Sequence, residues 1–207
     1  TEANAQAIAS ALAAGCERLI VSATEHPCVA EAAANAGAPV EVLPVDANGV
    51  VDLDWLAQAL ARPGRAVVAV HHANNESGVI QPVVEAAALV RAAGGLSLKE
   101  GVAGVRILHG AGQERGLRAG TENVPGIAGF GVAADCAARD LKTMASHVGW
   151  RDSAEARVKA AGATVIGADV ARLPNTLFMA VEGWDSPQQL IILDLAGVMV
   201  SAGSACS

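Results

Sequence analysis

Residues 65–81 read RAVVAVHHANNESGVIQ, and this stretch decides the fold. Its first part, RAVVAV, is apolar without the alternation of a half-exposed strand, the pattern of a strand covered on both faces. It passes directly into HHANNESG, where Asn and Gly favour turns. The helix VVEAAALVRAAGG (83–95) follows, closed by two glycines. A strand, a polar loop and a helix in sequence make up the unit from which parallel sheets are built.

The same alternation extends towards the start of the chain. TEANAQAIASALAAG (1–15) opens on Thr1 at a capping position and stops at Gly15, so it is predicted to be a helix. RLIVS (18–22) reads as a buried strand, and HPCVAEAAANAG (26–37) as a helix with Pro27 in its first turn. PVEVLPV (39–45) is the next strand, DANG (46–49) a turn and DLDWLAQALA (52–61) a third helix. The fold is therefore α/β with a mainly parallel sheet. Ligands of such sheets bind beyond the carboxyl ends of the strands. Two loops there are chemically loaded: TEHP places His26 just after a strand, and HHANNESG gathers His71, His72, Asn74, Asn75 and Glu76. Each of these residue types also serves ordinary turns, but two such loops at equivalent strand ends point to a site.

After residue 123 the pattern changes. A long helix is predicted from Val124 through His147, followed by short strands at TVIG (164–167), LPNTLFMAV (173–181) and GVMVSA (197–202), with a helix at SPQQLIILDLA (186–196). HVGWRDSAEARV (147–158) lacks a clean helical period.

Composition excludes several classes of function. The 207 residues are 52% hydrophobic, enough to bury a real core, but only 2% aromatic and without Tyr, so that core is built from aliphatic side chains. A net charge of −7 provides no basic surface for phosphate tracking, which argues against a nucleic-acid partner. No apolar run approaches the roughly 18 residues of a spanning helix. TEANAQAIAS has neither the basic start nor the apolar stretch of a signal peptide, so no membrane association and a cytoplasmic location are expected. The chain starts at Thr1 rather than Met, which points to a natural start upstream.

Cys16, Cys28, Cys136 and Cys206 include no C-x-x-C pair, and with five His they offer no zinc spacing. The first three lie in or beside helical stretches, where a free Cys behaves as a small buried hydrophobe. Cys206 differs, because SAGSACS (201–207) surrounds it with residues too small to pack. GAGQERG (110–116) resembles a dinucleotide fingerprint, but its last interval is one residue too long and it opens no clear βαβ unit.

Taken in order, TEANAQAI, SATEHPCV, DANGVVDLDWL, HHANNESGVIQP, QERGLRAGTENV, LPNT and VSAGSACS resemble the cysteine desulfurases, pyridoxal-phosphate enzymes of the class V aminotransferase superfamily. GLRAGTENV and the SAGSAC ending are similar to the branch that supplies sulfur for iron–sulfur cluster assembly. The resemblance implies an aspartate-aminotransferase-type fold, with residues 1–123 in a large cofactor domain and 124–207 forming a connecting helix and a small C-terminal α/β domain, both incomplete. It implies pyridoxal 5'-phosphate as cofactor. His26 would stack on the pyridine ring and assist proton transfer, and Asn75 would hydrogen-bond the phenolic oxygen. Thr1, at a helix N-terminus suited to an anion, would hold the phosphate. Thr121 would reach the phosphate of a partner subunit, which implies a homodimer. Cys206 would take sulfur from L-cysteine, leaving L-alanine and a persulfide for an iron–sulfur scaffold protein. A thiol that travels between substrate and acceptor needs a backbone free to move, which Gly, Ala and Ser allow. It must also react as thiolate, whereas an unperturbed Cys has a pKa of about 8.5.

The chain departs from the family between RAAGG and QERG. Members carry an aspartate on a strand and a cofactor lysine in an S-x-H-K loop there, whereas here RAAGG runs into LSLKEGVAGVRI. Lys99 follows a Leu and precedes glycines, with a serine two residues earlier, and is the candidate lysine of this segment, but no histidine stands before it and no strand leads in. The arginine that binds the substrate carboxylate in the family lies past the end of this chain. Removing a core strand would leave buried amides unpaired at about 1–3 kcal/mol each. A missing segment after Gly95 is therefore expected, and Gly95 and Leu96 are not expected to stand at the 3.8 Å of neighbouring Cα atoms. The alternative is a shortened, non-catalytic relative that serves as a dimeric scaffold.

Overall fold

The computed structural model of the chain describes residues 1–95, 104–106 and 108–203. It divides into two units. The first comprises Thr1–Pro44, Val51–His71 and Pro82–Lys142, and the second Val45–Val50, His72–Gln81 and Thr143–Ser207.

In the first unit the elements run α1 (Glu2–Ala13), β1 (Arg18–Ser22), α2 (Pro27–Ala34), β2 (Val40–Leu43), α3 (Leu53–Leu60), β3 (Ala66–Ala69) and α4 (Val83–Ala92), with a 3₁₀ turn at Glu114–Gly116 and the long α5 (Val124–Met144). The strands form one parallel sheet of order β2-β1-β3, with Leu19 opposite both Val40 and Val67. β1 is central and every one of its residues is buried. Leu19 and Val21 join Ile8, Ala11 and Cys16 from the α1 region and Ala33 of α2 in one apolar cluster. Side chains alternate along a strand, so Ile20, fully buried, faces the opposite side. α3 buries Leu56, Ala59 and Leu60 and packs on α4, which in turn lies against β3.

The unalternating apolar run predicted a β3 covered on both faces. Ala66 and Val67 are indeed buried, but Val68 and Ala69 are only half-buried. β3 is an edge of the sheet among the described residues, and an edge strand has a neighbour on one side only. At the opposite end of the strands, Arg18 is buried and donates to Gly64 O at 2.9 Å, Arg62 O at 3.1 Å and Glu41 Oε1 at 2.8 Å. It thus ties β1 to β2 and to the turn before β3.

The second unit holds α6 (His147–Ala160), the two-residue strands β4 (Thr164–Val165) and β5 (Met179–Ala180), paired antiparallel, and α7 (Ser186–Leu195). Its core centres on Val79, which has no exposed surface and bridges Arg172. Three expectations are corrected here. The long helix ends at Met144, and Ser146 donates back to Thr143 O before a separate helix begins. That helix, α6, covers HVGWRDSAEARV, where no clean period was visible. It is largely polar, with few apolar side chains such as the half-buried Val158, and ion pairs help hold it where a full apolar stripe is lacking. Glu155 pairs with Arg172 and with Lys159 at 2.6 Å, Arg151 reaches Leu173 O at 3.0 Å, and His147 stacks on Trp150 at 5.2 Å. GVMVSA, expected as a strand, forms none, and Met199 within it is exposed.

Of the thiols, Cys16 is buried as expected, whereas Cys28 and Cys136 are half-buried. The Cys28 sulfur accepts from Asn4 Nδ2 at 3.0 Å, and the Cys136 sulfur from Arg139 Nη2 at 2.9 Å, so both behave as weak polar groups. GAGQERG forms a turn in which Glu114 and Arg115 take positive φ, with no βαβ unit opened. No helix among the described residues is long and apolar enough to cross a membrane, and no cluster of His, Cys, Asp or Glu among them suits a metal.

Candidate functional site

In the first unit the relevant end is where β1 and β3 finish. His26 is the N-cap of α2, with extended backbone, and its Nδ1 accepts from the Cys28 amide at 3.0 Å. Ser, Thr, Asp and Asn usually fill this position. With Nδ1 as acceptor, the proton of a neutral ring sits on Nε2, and the cap fixes where the ring stands. One residue earlier, Glu25 is 5% exposed at its side chain and accepts from both the backbone N–H of His71 and, at 3.1 Å, His71 Nδ1. The sequence reading singled out His71 only as part of a cluster and passed over Glu25.

Thr1 precedes α1 and makes no side-chain cap bond, leaving its hydroxyl free of the helix. Thr121 is exposed beyond the RAG turn. The segments carrying the two are joined by Arg118, which donates to Glu2 at 2.9 Å and 3.4 Å. The hydrogen bond from Arg118 holds the Glu2 carboxyl below its ordinary range, and Glu2 raises the Arg118 guanidinium in return.

In the second unit the loop after His72 is organised by Asn74. Its Oδ1 accepts from the amides of Glu76 and Ser77, both at 2.9 Å, and Ala73 bridges Ile80 to close the loop. Gly78 sits at φ +72, where a Cβ would lie 2.7 Å from Thr176 Cβ, so glycine is required on both counts. Asn74 is thereby the structural asparagine and Asn75 the displayed one. Asn75 and Glu76 open onto a cleft of about 600 Å³, shared with Asn175, Thr176, Ser186 and Gln189 and backed by apolar residues of α6, β5 and α7. The last four polar groups carried no signal of their own in the sequence, apart from the LPNT stretch. Cys206 and Lys99 lie outside the described residues.

Sequence comparison adds the family. The model of the aminotransferase class-V family matches residues 1–109 and 102–207. The chain belongs to the class-V aminotransferase family. A cysteine desulfurase of Gluconacetobacter diazotrophicus is 34% identical over all of this chain and 64% of its own length. The cysteine desulfurase NifS of Azotobacter vinelandii is 34% identical, with 100% of this chain and 63% of that protein covered. Cysteine desulfurase IscS 1 of Archaeoglobus fulgidus is 32% identical over 92% of this chain and 61% of its own. The chain thus spans less than two thirds of these relatives. The solved NifS-like protein of Rickettsia africae shares the fold, with a TM-score of 0.81, 24% identity and coverage of 97% of this chain and 68% of that one. DndA of Streptomyces lividans gives 0.80 at 25% identity, over 95% and 70%.

The α/β expectation holds, and the class-V architecture is the one these neighbours share. The Gluconacetobacter alignment runs over 256 positions against 207 residues, leaving about 49 positions of that relative without a counterpart. The family match is in two parts, and the step from Gly95 to Leu96 lies outside the described residues. Pyridoxal phosphate is the cofactor of this family. The first unit offers donor types suited to its non-covalent contacts, a capped imidazole at a strand end and the Thr1 hydroxyl. The two described lysines do not fit as its amine, since Lys142 is exposed on α5 and Lys159 is engaged with Glu155 on α6.

Proposed function

We propose that the protein is a pyridoxal-phosphate-dependent cysteine desulfurase. One observation carries the reading: the whole chain aligns, at 34% identity, with proteins named for that activity. The cofactor, when bound, supplies the electron sink that weakens the carbon–sulfur bond of L-cysteine. The chain's residues do the rest. Thr1 holds the phosphate, Thr121 reaches the phosphate bound by the partner subunit, His26 covers the ring and handles a proton, and Asn75 holds the phenolic oxygen. The Cys206 thiolate attacks the substrate sulfur. The Cβ–S bond breaks, the carbon is reduced to the methyl of L-alanine, and Cys206 is oxidised to a persulfide that carries the transferred sulfur. The acceptor is an iron–sulfur scaffold protein, the assembly a homodimer and the setting the cytoplasm.

The test supplies pyridoxal phosphate, L-cysteine and a thiol reductant, and follows sulfide and alanine together. Equal yields of both are expected, and Cys206→Ala should bind cofactor yet release neither. A protein that binds cofactor and releases no sulfide would defeat the reading and leave the dimeric scaffold. Equal loss from Cys28→Ala would show that the wrong thiol has been chosen.

A further inference from the structure

The buried pair Glu25–His71 has no part in the roles given above, and its geometry is that of a ligand contact left half-made. Glu25 leaves β1 and His71 follows β3, so the two meet at the carboxyl end of adjacent parallel strands. That is the end at which such sheets bind ligands. Glu25 Oε1 receives two donors from one residue, the His71 backbone N–H and, at 3.1 Å, Nδ1. A carboxylate only accepts, so the contact places a proton on Nδ1, and in the neutral ring Nε2 then keeps a lone pair. Nε2 is buried and has no hydrogen-bond partner among the described residues. Native proteins seldom keep a buried polar atom that nothing ever satisfies. The side chains are 17% and 5% exposed, so bulk water does not relieve it.

We propose that Glu25 is a positioning residue that locks His71 as the Nδ1–H tautomer, so that Nε2 accepts a hydrogen bond from an N–H or O–H group of the bound cofactor. This rests on the desulfurase reading for the identity of the ligand. The tautomer itself does not depend on that reading. Glu25 adjoins His26, whose ring has the opposite tautomer. The two imidazoles at this strand end therefore offer complementary atoms, a donor Nε2–H on His26 and an acceptor Nε2 on His71.

The test is nitrogen NMR of the full chain with labelled histidine, first alone and then titrated with pyridoxal phosphate while binding is followed by dialysis. His71 should show a protonated Nδ1 and a bare Nε2, and the Nε2 resonance should move upfield as cofactor binds. Glu25→Gln retains an acceptor and should keep the tautomer, whereas Glu25→Ala should mix the two forms. If the alanine variant does not fold, the wild-type spectrum still decides. An Nε2–H tautomer in the wild type overturns the proposal, as does cofactor binding without a shift at Nε2. Absence of cofactor binding overturns the desulfurase reading and the ligand half of this one together, leaving Glu25–His71 a structural pair.

Discussion

His26 does two jobs that a single substitution would confuse. It caps α2 through Nδ1 and presents a ring at the end of β1. His26→Ala removes both, and loss of a cap costs about 0.5–2 kcal/mol. Asn also caps well, so His26→Asn should restore the denaturation midpoint almost to wild type while still changing the absorbance of added pyridoxal phosphate. A spectrum unchanged in both variants would reduce His26 to its structural role. Gly78 makes a similar point in the second unit: Gly78→Ala meets both a φ of +72 and Thr176 at 2.7 Å. It should destabilise by at least the 1–3 kcal/mol of a strained left-handed residue, read as a fall in the urea midpoint. His26 was legible in the sequence because its neighbours Thr24, Glu25 and Pro27 mark a strand-to-helix turn. The link from Glu25 to His71 was not, since the partners stand 46 residues apart and meet only once β1 and β3 pair.

Among the elements, α6 is the one that local pattern missed, and electrostatics explains why it forms. Glu155 is held below the ordinary carboxylate range by its hydrogen bond from Arg172 first and from Lys159 second. A depressed folded pKa means that the ionised form is favoured by folding. This contribution is complete above the unfolded value of 4.5 and is lost as pH falls through the lower folded value. Urea unfolding followed by helix content should therefore weaken below about pH 5 in the wild type, and less so in Glu155→Gln. At neutral pH, Glu155→Ala strands a buried guanidinium whose Nε and Nη1 already lack partners among the described residues, for an expected loss of about 3–5 kcal/mol. Arg18 is the counterpart in the sheet, with three acceptors around a buried side chain. Arg18→Ala should cost a similar amount by opening β1 from β2, visible as faster amide exchange in Val40–Leu43.

For the molecule as a whole, the feature most at odds with a lone chain is α5. None of its 21 residues is buried. Val124, Ile127, Phe130, Val132 and Leu141 are all exposed, Phe130 at 77%. A helix with that many apolar side chains in water is covered by something in the working protein, and the homodimer proposed above supplies a second copy. Phe130→Asp should then shift the sedimentation of the protein towards monomer without changing its helix content. A wild type that sediments as monomer at all concentrations would remove the dimer from the proposal.

The order of strands and helices, the loaded loops after β1 and β3 and the family likeness were all determined by local sequence. Each depends on residues close in the chain: apolar runs, caps, glycine stops and short motifs. Tertiary structure alone decided that the run at β3 stands at an edge, that GVMVSA stays out of the sheet and that HVGWRDSAEARV is a helix. These outcomes depend on which neighbours are available to cover a face or neutralise a charge, and Glu155 finds Arg172 only through the fold. The same holds for the imidazole of His71, whose tautomer is set by a carboxylate that the sequence places on another strand.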